Sequence, residues 1–267
     1  MKTKEYIEKY EAAKQRYLVG DISITKLAQD YDLDRGILAK NFKEDGIAII
    51  NRQNQPRMNQ NFFDSIDTEE KAYWLGFLYA DGAIGSSNNG IELSLKESDS
   101  GHLDKFVRSL GFTDKKVFKD DIRCRVTFKN KHMHNSLINL GCTAKKSLTL
   151  TFPSEKQVPI MLVNHFIRGY VDGDGSVMIG LNHKNERRVP RLSILGTESF
   201  LKSLIKTMGW KQNHISHPSR AFQIEWSGKY VFDYLNELYG NASIYLDRKY
   251  QRFLYLKNVF ADNKSQD

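Results

Sequence analysis

The first 46 residues space their apolar positions as helices do. Residues 3–19 predict one helix, and Ser23 can cap a second helix that runs through Gln29. The inner face of the second helix is predicted to carry three apolar residues: Ile24, Leu27 and Ala28. After the turn "DYDLD", Asp34 can cap a third helix, which is predicted to end near Gly46. The third helix carries three further apolar residues: Ile37, Leu38 and Phe42.

Two short helices joined by a tight turn are typical of a helix-turn-helix, a motif that places its second helix on DNA. The candidate DNA-binding residues on that helix are Arg35, Lys40 and Lys43. The turn lacks the glycine that is often found there, and Asp32 stands near its place. The alternative is an unrelated cap of three helices.

A polar segment separates this region, residues 1–50, from the rest of the chain. It opens with "NRQNQPRMNQN", which includes Pro56, and we predict a linker over residues 51–63. Arg52 and Arg57 in this linker could follow a DNA backbone.

From residue 64 onwards, helical and strand-like patterns alternate. Thr68 is the predicted N-cap of an apolar helix, and the alternating segments "GIELSLKE" and "DIRCRVTFKN" predict strands. Side chains alternate along a strand, so the second of these segments has one apolar face: Ile122, Cys124, Val126 and Phe128.

The same order of elements recurs after residue 153. Each unit reads helix-strand-strand-helix-strand-strand-helix, and a closing helix, "DRKYQRFLYLKNVF", follows the second. We therefore predict an α+β fold with two pseudo-symmetric αββαββα half-domains, residues 64–153 and 154–267, preceded by a small all-α domain.

The first helix of each half contains a glycine in its interior, where glycine costs about 1 kcal/mol relative to alanine. These glycines are Gly76 and Gly169, and four residues later come Ala80 and Gly173. Residues four apart share one face of a helix. Small residues there let two backbones approach closely, so we predict that these two helices pack against each other through these four residues.

Each of these helices ends in Asp-Gly. If the helices run in the same direction, Asp81 and Asp174 meet at their C-terminal ends, where the helix dipole disfavours a carboxylate. Two neighbouring carboxylates also repel each other. A hard divalent cation removes both problems, and Mg²⁺ usually takes one or two protein carboxylates. Paired carboxylates with such a metal point to phosphodiester hydrolysis.

The composition agrees with a nucleic acid partner. The net charge of the 267 residues is +8, which favours a polyanionic partner. The two cysteines, Cys124 and Cys142, lack disulfide-scaffold and zinc-ligand patterns, so we expect ordinary thiols in the cytoplasm of a bacterium or a phage-infected host. We find no signal peptide and no apolar stretch near 18 residues, so no membrane partner is expected.

A calcium-binding EF-hand loop does not explain "DGDGSVMIGLNH". Such a loop starting at Asp172 needs glycine at its sixth position and glutamate at its twelfth. Val177 and His183 occupy those positions.

The stretches "WLGFLYADG" and "IRGYVDGDG" resemble the two signature helices of the LAGLIDADG homing endonucleases. The resemblance covers roughly residues 68 to 262, and two such stretches, each followed by a strand pair, make a specific signal. In that family the acid before the final glycine binds the metal. The resemblance thus implies a catalytic metal site at four residues: Asp81, Asp174, Gly82 and Gly175.

The resemblance further implies a single chain whose two halves form a saddle over double-stranded DNA, and which hydrolyses both strands with Mg²⁺ or Mn²⁺. The first stretch has Tyr79 where the second has Asp172, a departure that leaves the metal-binding acids in place. The family also places basic residues near the metals. Lys146 and Lys249 match best, with Lys145 and Arg248 as adjacent alternatives, and surface charges or phosphate anchors as the other interpretation.

The polar strand faces of such a saddle would face the major groove. The candidates in the first half are Arg123, Arg125, Thr127 and Lys129. The candidates in the second half are Arg187, Arg191, Ser193, Gln223 and Glu225. For any one of these residues, a strand face in water is the ordinary interpretation.

Three hypotheses therefore stand. The leading one is a monomeric, magnesium-dependent, site-specific DNA endonuclease with no protein partner, encoded by an intron, a phage or a free-standing gene. The second is a regulator that binds DNA without cutting it, although such a protein has no need for paired metal ligands. The third is an intron maturase that binds RNA.

Overall fold

The computed structural model describes residues 3–19, 22–49, 58–86, 88–112, 115–144, 146, 149–182, 187–218 and 221–264. The chain forms two compact units, Met1–Gln55 and Pro56–Asp267.

The N-terminal unit consists of three helices: α1 (Lys4–Val19), α2 (Ile24–Asp30) and α3 (Arg35–Glu44). Ser23 caps α2 by accepting a hydrogen bond from the backbone N–H of Lys26 (3.2 Å). Asp34 caps α3 in the same way, with the N–H of Ile37 as donor (2.8 Å). Eight residues form the core of this unit: Tyr10, Ala13, Tyr17, Ile24, Leu27, Ala28, Leu38 and Phe42.

The larger unit contains the two predicted halves. The first half consists of α4 (Glu69–Asp81), β1 (Gly82–Ile84), β2 (Gly90–Lys96), α5 (Ser100–Ser109), β3 (Phe118–Lys119), β4 (Arg123–Lys129) and α6 (Lys131–Asn139). The second consists of α7 (Val163–Asp174), β5 (Gly175–Asn182), β6 (Arg187–Gly196), α8 (Glu198–Met208), β7 (Ile215–Ser216), β8 (Phe222–Ser227) and α9 (Tyr230–Tyr239). The closing helix is α10 (Asp247–Lys264).

Each half contributes one antiparallel sheet of four strands. The strand order is β1-β2-β4-β3 in the first sheet and β5-β6-β8-β7 in the second. The predicted fold class, with two αββαββα halves and a small all-α region, is confirmed. The predicted αββαββα order includes a strand between α8 and β8, and β7 fills that place with only two residues.

One side chain on the first sheet departs from the predicted pattern. Cys124, Val126 and Phe128 are buried, whereas Ile122 is 74% exposed. The reason is that β4 begins at Arg123, and Ile122 lies in the preceding turn, where the N–H donates to the carboxylate of Asp120 (3.0 Å).

The central feature of the larger unit is the close contact between α4 and α7. A Cβ added to Gly76 would overlap the carbonyl oxygen of Phe166, and one added to Gly169 would overlap that of Tyr73. A Cβ on Gly173 would overlap the side chain of Ala80. The contacts pair Tyr73 with Gly169 and, further along both helices, Ala80 with Gly173. Helices α4 and α7 therefore run parallel, with their backbones in contact.

Helix α4 is apolar on every side because other elements surround it. All residues from Ala72 to Tyr79 are buried, which is the pattern of a helix at the centre of a core. Phe62 and Phe63, at the end of the predicted linker, are also buried in this core, whereas residues 51–57 lie outside the described part. Within the described residues, we find no helix with the length and apolarity needed to cross a membrane.

We predict that Gly76→Ala or Gly169→Ala destabilises the protein by about 1–3 kcal/mol, because the new methyl group meets rigid backbone atoms of the partner helix. Thermal or denaturant unfolding measures this. The matched control is Gly101→Ala in α5, where a Cβ would meet no atom within 4 Å, so stability should stay the same or rise slightly. Equal effects at all three positions would contradict the backbone contact.

Candidate active site

The two acids that end the central helices lie at the same end of the helix pair. Asp81 is the last residue of α4 and Asp174 the last of α7, and these helices are parallel. The Oδ2 atom of Asp81 lies 3.2 Å from the position that a Cβ on Gly173 would occupy. The Asp81 carboxylate therefore lies against the last turn of α7, beside Asp174.

Burial and repulsion both act on this pair. Burial, followed by the negative charge of Asp174, raises the pKa of Asp81 to about 6. Burial also raises the pKa of Asp174. Lys249 and Lys146 act in the opposite direction on both carboxyl groups. Burial thus disfavours the charged carboxylates more than the two lysines favour them, and an additional cation would stabilise the charged forms.

Each of the two lysines binds the C-terminal end of the central helix in its own half. The Nζ of Lys146 donates to the carbonyl oxygens of Ala80 (3.0 Å) and Gly82 (2.5 Å). The carbonyls in the last turn of a helix have no partner within it, and a cation there opposes the helix dipole. Lys146 therefore stabilises the end of α4.

Lys249 binds α7 in the equivalent way and more extensively. Its Nζ donates to the carbonyl oxygens of Val171 (2.6 Å), Asp172 (2.7 Å) and Gly175 (2.6 Å), and it lies 3.5 Å from that of Gly173. Lys249 is 1% exposed, and this burial lowers its pKa to about 8 against the opposing effect of Asp172. The predicted basic residues thus lie beside the acids, with their ammonium groups bound to carbonyls. Lys145 is outside the described residues.

The donor set at the helix ends suits a hard divalent cation. Asp81 and Asp174 supply carboxylate oxygens, which Mg²⁺ and Mn²⁺ prefer. Across the described residues, no group of three or more histidine, cysteine, aspartate or glutamate side chains could hold a metal. The arrangement fits Mg²⁺, which usually keeps several waters and takes phosphate oxygens together with one or two carboxylates.

A buried carboxylate, that of Asp172, lies next to the site and has no role predicted from the sequence. Asp172 accepts hydrogen bonds from the hydroxyls of Tyr73 (2.7 Å) and Tyr239 (2.6 Å), and from the N–H of Leu246 (2.7 Å). Since Leu246 immediately precedes α10, Asp172 fixes the start of the helix that carries Lys249. The sequence signal was the mismatch between the two repeats, because Tyr79 occupies the equivalent position and donates instead to the carbonyl of Leu140.

Arg168, one turn earlier on α7, binds the segment that leads into α10. Its guanidinium donates to the carbonyls of Ile244 (2.9 Å) and Leu238 (2.9 Å), and to Glu69 of α4 (2.6 Å). Glu69 also accepts from the N–H of Ser243 (2.8 Å). This ion pair, in which Arg168 is buried and Glu69 is partly exposed, joins the two halves and the segment between α9 and α10.

The C-terminal segment of each half also contacts the other half. Arg248, the alternative to Lys249, donates to the buried Asp99 of the first half (2.9 Å). Reciprocally, Thr197 of the second half donates to the carbonyl of Leu150 (2.5 Å). Asp99 and Thr197 both precede the second helix of their half, so the C-terminal segments contact equivalent positions of the two halves through different bonds.

The polar face of the first sheet is basic. Its predicted residues are exposed: Arg123, Arg125, Thr127 and Lys129. Cross-strand pairing adds Ser94 opposite Arg125 and Lys96 opposite Arg123, and Glu92 accepts from Thr127 (2.9 Å). The guanidinium of Arg125 lies over the ring of Phe118 (4.8 Å).

The polar face of the second sheet has a different composition. Gln223 and Glu225 are partly exposed, and Arg191 lies across Gly180 with Nη1 3.8 Å from Glu225. Ser193 is 7% exposed, because it lies on the central strand between Ser176 and Glu225. The side chain of Arg187 is outside the described part.

In the N-terminal unit, Arg35, Lys40 and Lys43 are all exposed on α3. Arg35 also donates to the hydroxyl of Thr25 in α2 (3.1 Å). The other two side chains are solvent-facing charges of this unit.

Comparison with known proteins shows the fold. The LAGLIDADG homing endonuclease I-GzeII, in complex with its DNA target, matches with a TM-score of 0.51 at 12% identity over 76% of this chain and 92% of that chain. The LAGLIDADG homing endonuclease I-LtrWI, bound to target DNA, matches with a TM-score of 0.51 at 12% identity over 78% and 92%. The LAGLIDADG meganuclease I-AabMI, bound to uncleaved DNA, gives 0.50 at 11% identity over 72% and 91%.

No family model and no curated protein matches the sequence. The chain nevertheless has the fold of the LAGLIDADG homing endonucleases, with two halves built around paired helices.

We predict that Arg168→Met destabilises the protein by about 3 kcal/mol, because Glu69 and two carbonyls lose a buried donor. The control is Lys202→Met, which breaks an ion pair of the same length, 2.6 Å, to Glu198 on the exposed face of α8 and should cost less than about 1 kcal/mol. Denaturant unfolding compares the two variants. Similar losses would show that burial does not strengthen the Arg168 contact.

Proposed function

We propose that this chain is a site-specific double-strand DNA endonuclease that hydrolyses phosphodiester bonds. The observation that carries the proposal is the meeting of Asp81 and Asp174 at the ends of parallel helices, within a fold whose solved relatives include DNA-bound homing endonucleases. Paired buried carboxylates at such a place are unfavourable for stability. A functional role for the pair explains why the chain carries them.

A divalent cation, Mg²⁺ or Mn²⁺, would be held by the carboxylates of Asp81 and Asp174, with Gly82 and Gly175 adjoining the site. When bound there, such a cation would supply an activated water and would stabilise the leaving oxygen of an in-line displacement. Lys146 and Lys249 keep the helix ends and their acids in place through the carbonyl contacts. Their positive charges also reduce the repulsion that the acids exert on a phosphate.

Double-stranded DNA would lie along the polar faces of the two sheets. The first sheet presents Arg123, Arg125, Lys96 and Lys129 to the partner, and cations of this kind contact phosphates or guanine edges. The second sheet presents Arg191, Gln223 and Glu225. Since one chain contains both halves and both acids, a monomer is sufficient for the reaction.

We predict that Asp81→Asn and Asp174→Asn each lower the cutting rate on the order of 100-fold or more, while DNA binding persists. Both variants keep the shape of the side chain and remove a charge needed by the cation. The substrate is a plasmid library with randomised duplex inserts, incubated with Mg²⁺ or with EDTA. Asp233→Asn, an exposed change on α9, is the control that should cut like the unaltered protein.

The same experiment separates the alternatives. Duplex binding without cutting, in the presence of Mg²⁺, would favour the regulator. Preferential binding of an RNA library would favour the maturase. Cutting that persists in both Asp variants would refute the site.

We predict that Arg125→Ala weakens binding to a selected duplex by about 1–3 kcal/mol. Arg125 is exposed at the middle of the basic sheet face, where loss of the guanidinium removes a phosphate or base contact. Fluorescence anisotropy at several salt concentrations measures affinity and its salt dependence. Lys206→Ala, an equal loss of charge on the exposed side of α8, should change affinity little; equal losses would place the DNA elsewhere.

A further inference from the structure

The connection between α2 and α3 has the backbone geometry of a tight helix-turn-helix. Asp32 adopts a left-handed conformation with φ of 50°, which glycine provides most easily. The N–H of Leu33 then donates to the carbonyl of Ala28 (2.8 Å), and Asp34 caps α3. Asp32 therefore takes the role of the glycine that is common in such turns.

Helix α3 is held firmly on its inner side. Leu38, Asn41 and Phe42 are buried. The amide of Asn41 donates to the hydroxyl of Tyr6 (2.5 Å), and the hydroxyl of Tyr10 donates to Asp45 (2.7 Å) just after the helix. Together with the contact between Arg35 and Thr25, these bonds fix α3 against both other helices, so its outer side is a rigid surface.

The outer side of α3 combines cations with an apolar side chain. Gly36, Lys40 and Lys43 follow one another at helical spacing and are all exposed. Ile37 lies beside them and is 50% exposed, although Leu38 and Phe42 of the same helix are fully buried. Neither packing nor capping of α3 requires a branched apolar side chain at this position.

The outer side of α3 carries two lysines and one exposed acid, Glu44, so its net charge is positive. Two other acids near α3 are occupied within the unit: Asp30 pairs with Arg16 and Lys26, and Asp45 pairs with Lys14. Lys40 is only loosely paired, 3.9 Å from Glu44, and within the described residues Lys43 has no carboxylate within 4.0 Å. Such a surface complements a polyanion.

We propose that the outer face of α3, formed by Gly36, Ile37, Lys40 and Lys43, is a second DNA-binding site that enters the major groove of double-stranded DNA. Lys40 and Lys43 contact phosphates or guanine edges, and Ile37 contacts the methyl group of thymine, the apolar group that this groove displays. A protein partner would gain little from the two flanking lysines, because charges are depleted at the core of protein interfaces. The site is separate from the two acids.

The test uses the full-length protein and a library of randomised duplexes selected by binding. We expect two blocks of sequence preference, one that spans the cut position and one that contains thymine. Ile37→Ala should lower affinity for the selected duplexes by about 5-fold or more and remove the thymine preference in the second block only. Alanine favours helix more than isoleucine does, so α3 should stay folded, which circular dichroism checks.

Lys40→Ala should weaken binding and reduce its salt dependence. Lys4→Ala, a loss of the same charge from an exposed position of α1, is the control that should do neither. Unchanged selection by both α3 variants would overturn the proposal, as would an Ile37-dependent preference for RNA or for a protein over duplex DNA. A second block that depends on Ile37 in a protein that does not cut would support this site and refute the endonuclease function.

Discussion

The backbone contact between α4 and α7 determines the rest of the larger unit. Glycine at positions 76 and 169 lets the two parallel helices touch, so their C-terminal ends come together. Each end carries an aspartate and carbonyl groups that have no hydrogen-bond partner within the helix. This concentrates negative charge at one point of a protein whose net charge is positive. Two lysines satisfy the carbonyls, yet burial still raises the pKa of both acids. A cation is the remaining partner that such a place favours.

The two halves reach this arrangement by different bonds. In the second half, Asp172 and Arg168 tie the segment before α10 to α7, and Lys249 then meets three carbonyls within 2.7 Å. In the first half, the hydroxyl of Tyr79 contacts the carbonyl of Leu140, and Lys146 meets two carbonyls. Duplicated elements in a single chain can therefore diverge at the bonds that hold the site while the acids and glycines stay paired.

Local patterns were enough to predict the central helices and the strand faces, since each depends on spacing within one element. The pairing of the two acids was predicted from the match between the two helices, whose small residues indicated a close contact. The buried bonds between halves were not predictable, because Arg168 with Glu69 and Arg248 with Asp99 join residues far apart in sequence. The exposed Ile122 shows a second limit. Periodicity assigned Ile122 to the apolar strand face, but the strand begins only at Arg123. The strand boundary depends on the hydrogen bonds of the preceding turn, which the periodicity does not contain.

The polar strand faces of the two sheets also differ in their residues. The first face has four cations and is exposed throughout β4, whereas the described side chains of the second include Arg191 with the neighbouring Glu225 and a buried Ser193. A dimer of identical subunits would present the same face twice and match a symmetric duplex. A single chain with two different faces has no such restriction, so a duplex bound in the proposed way would not need to be palindromic.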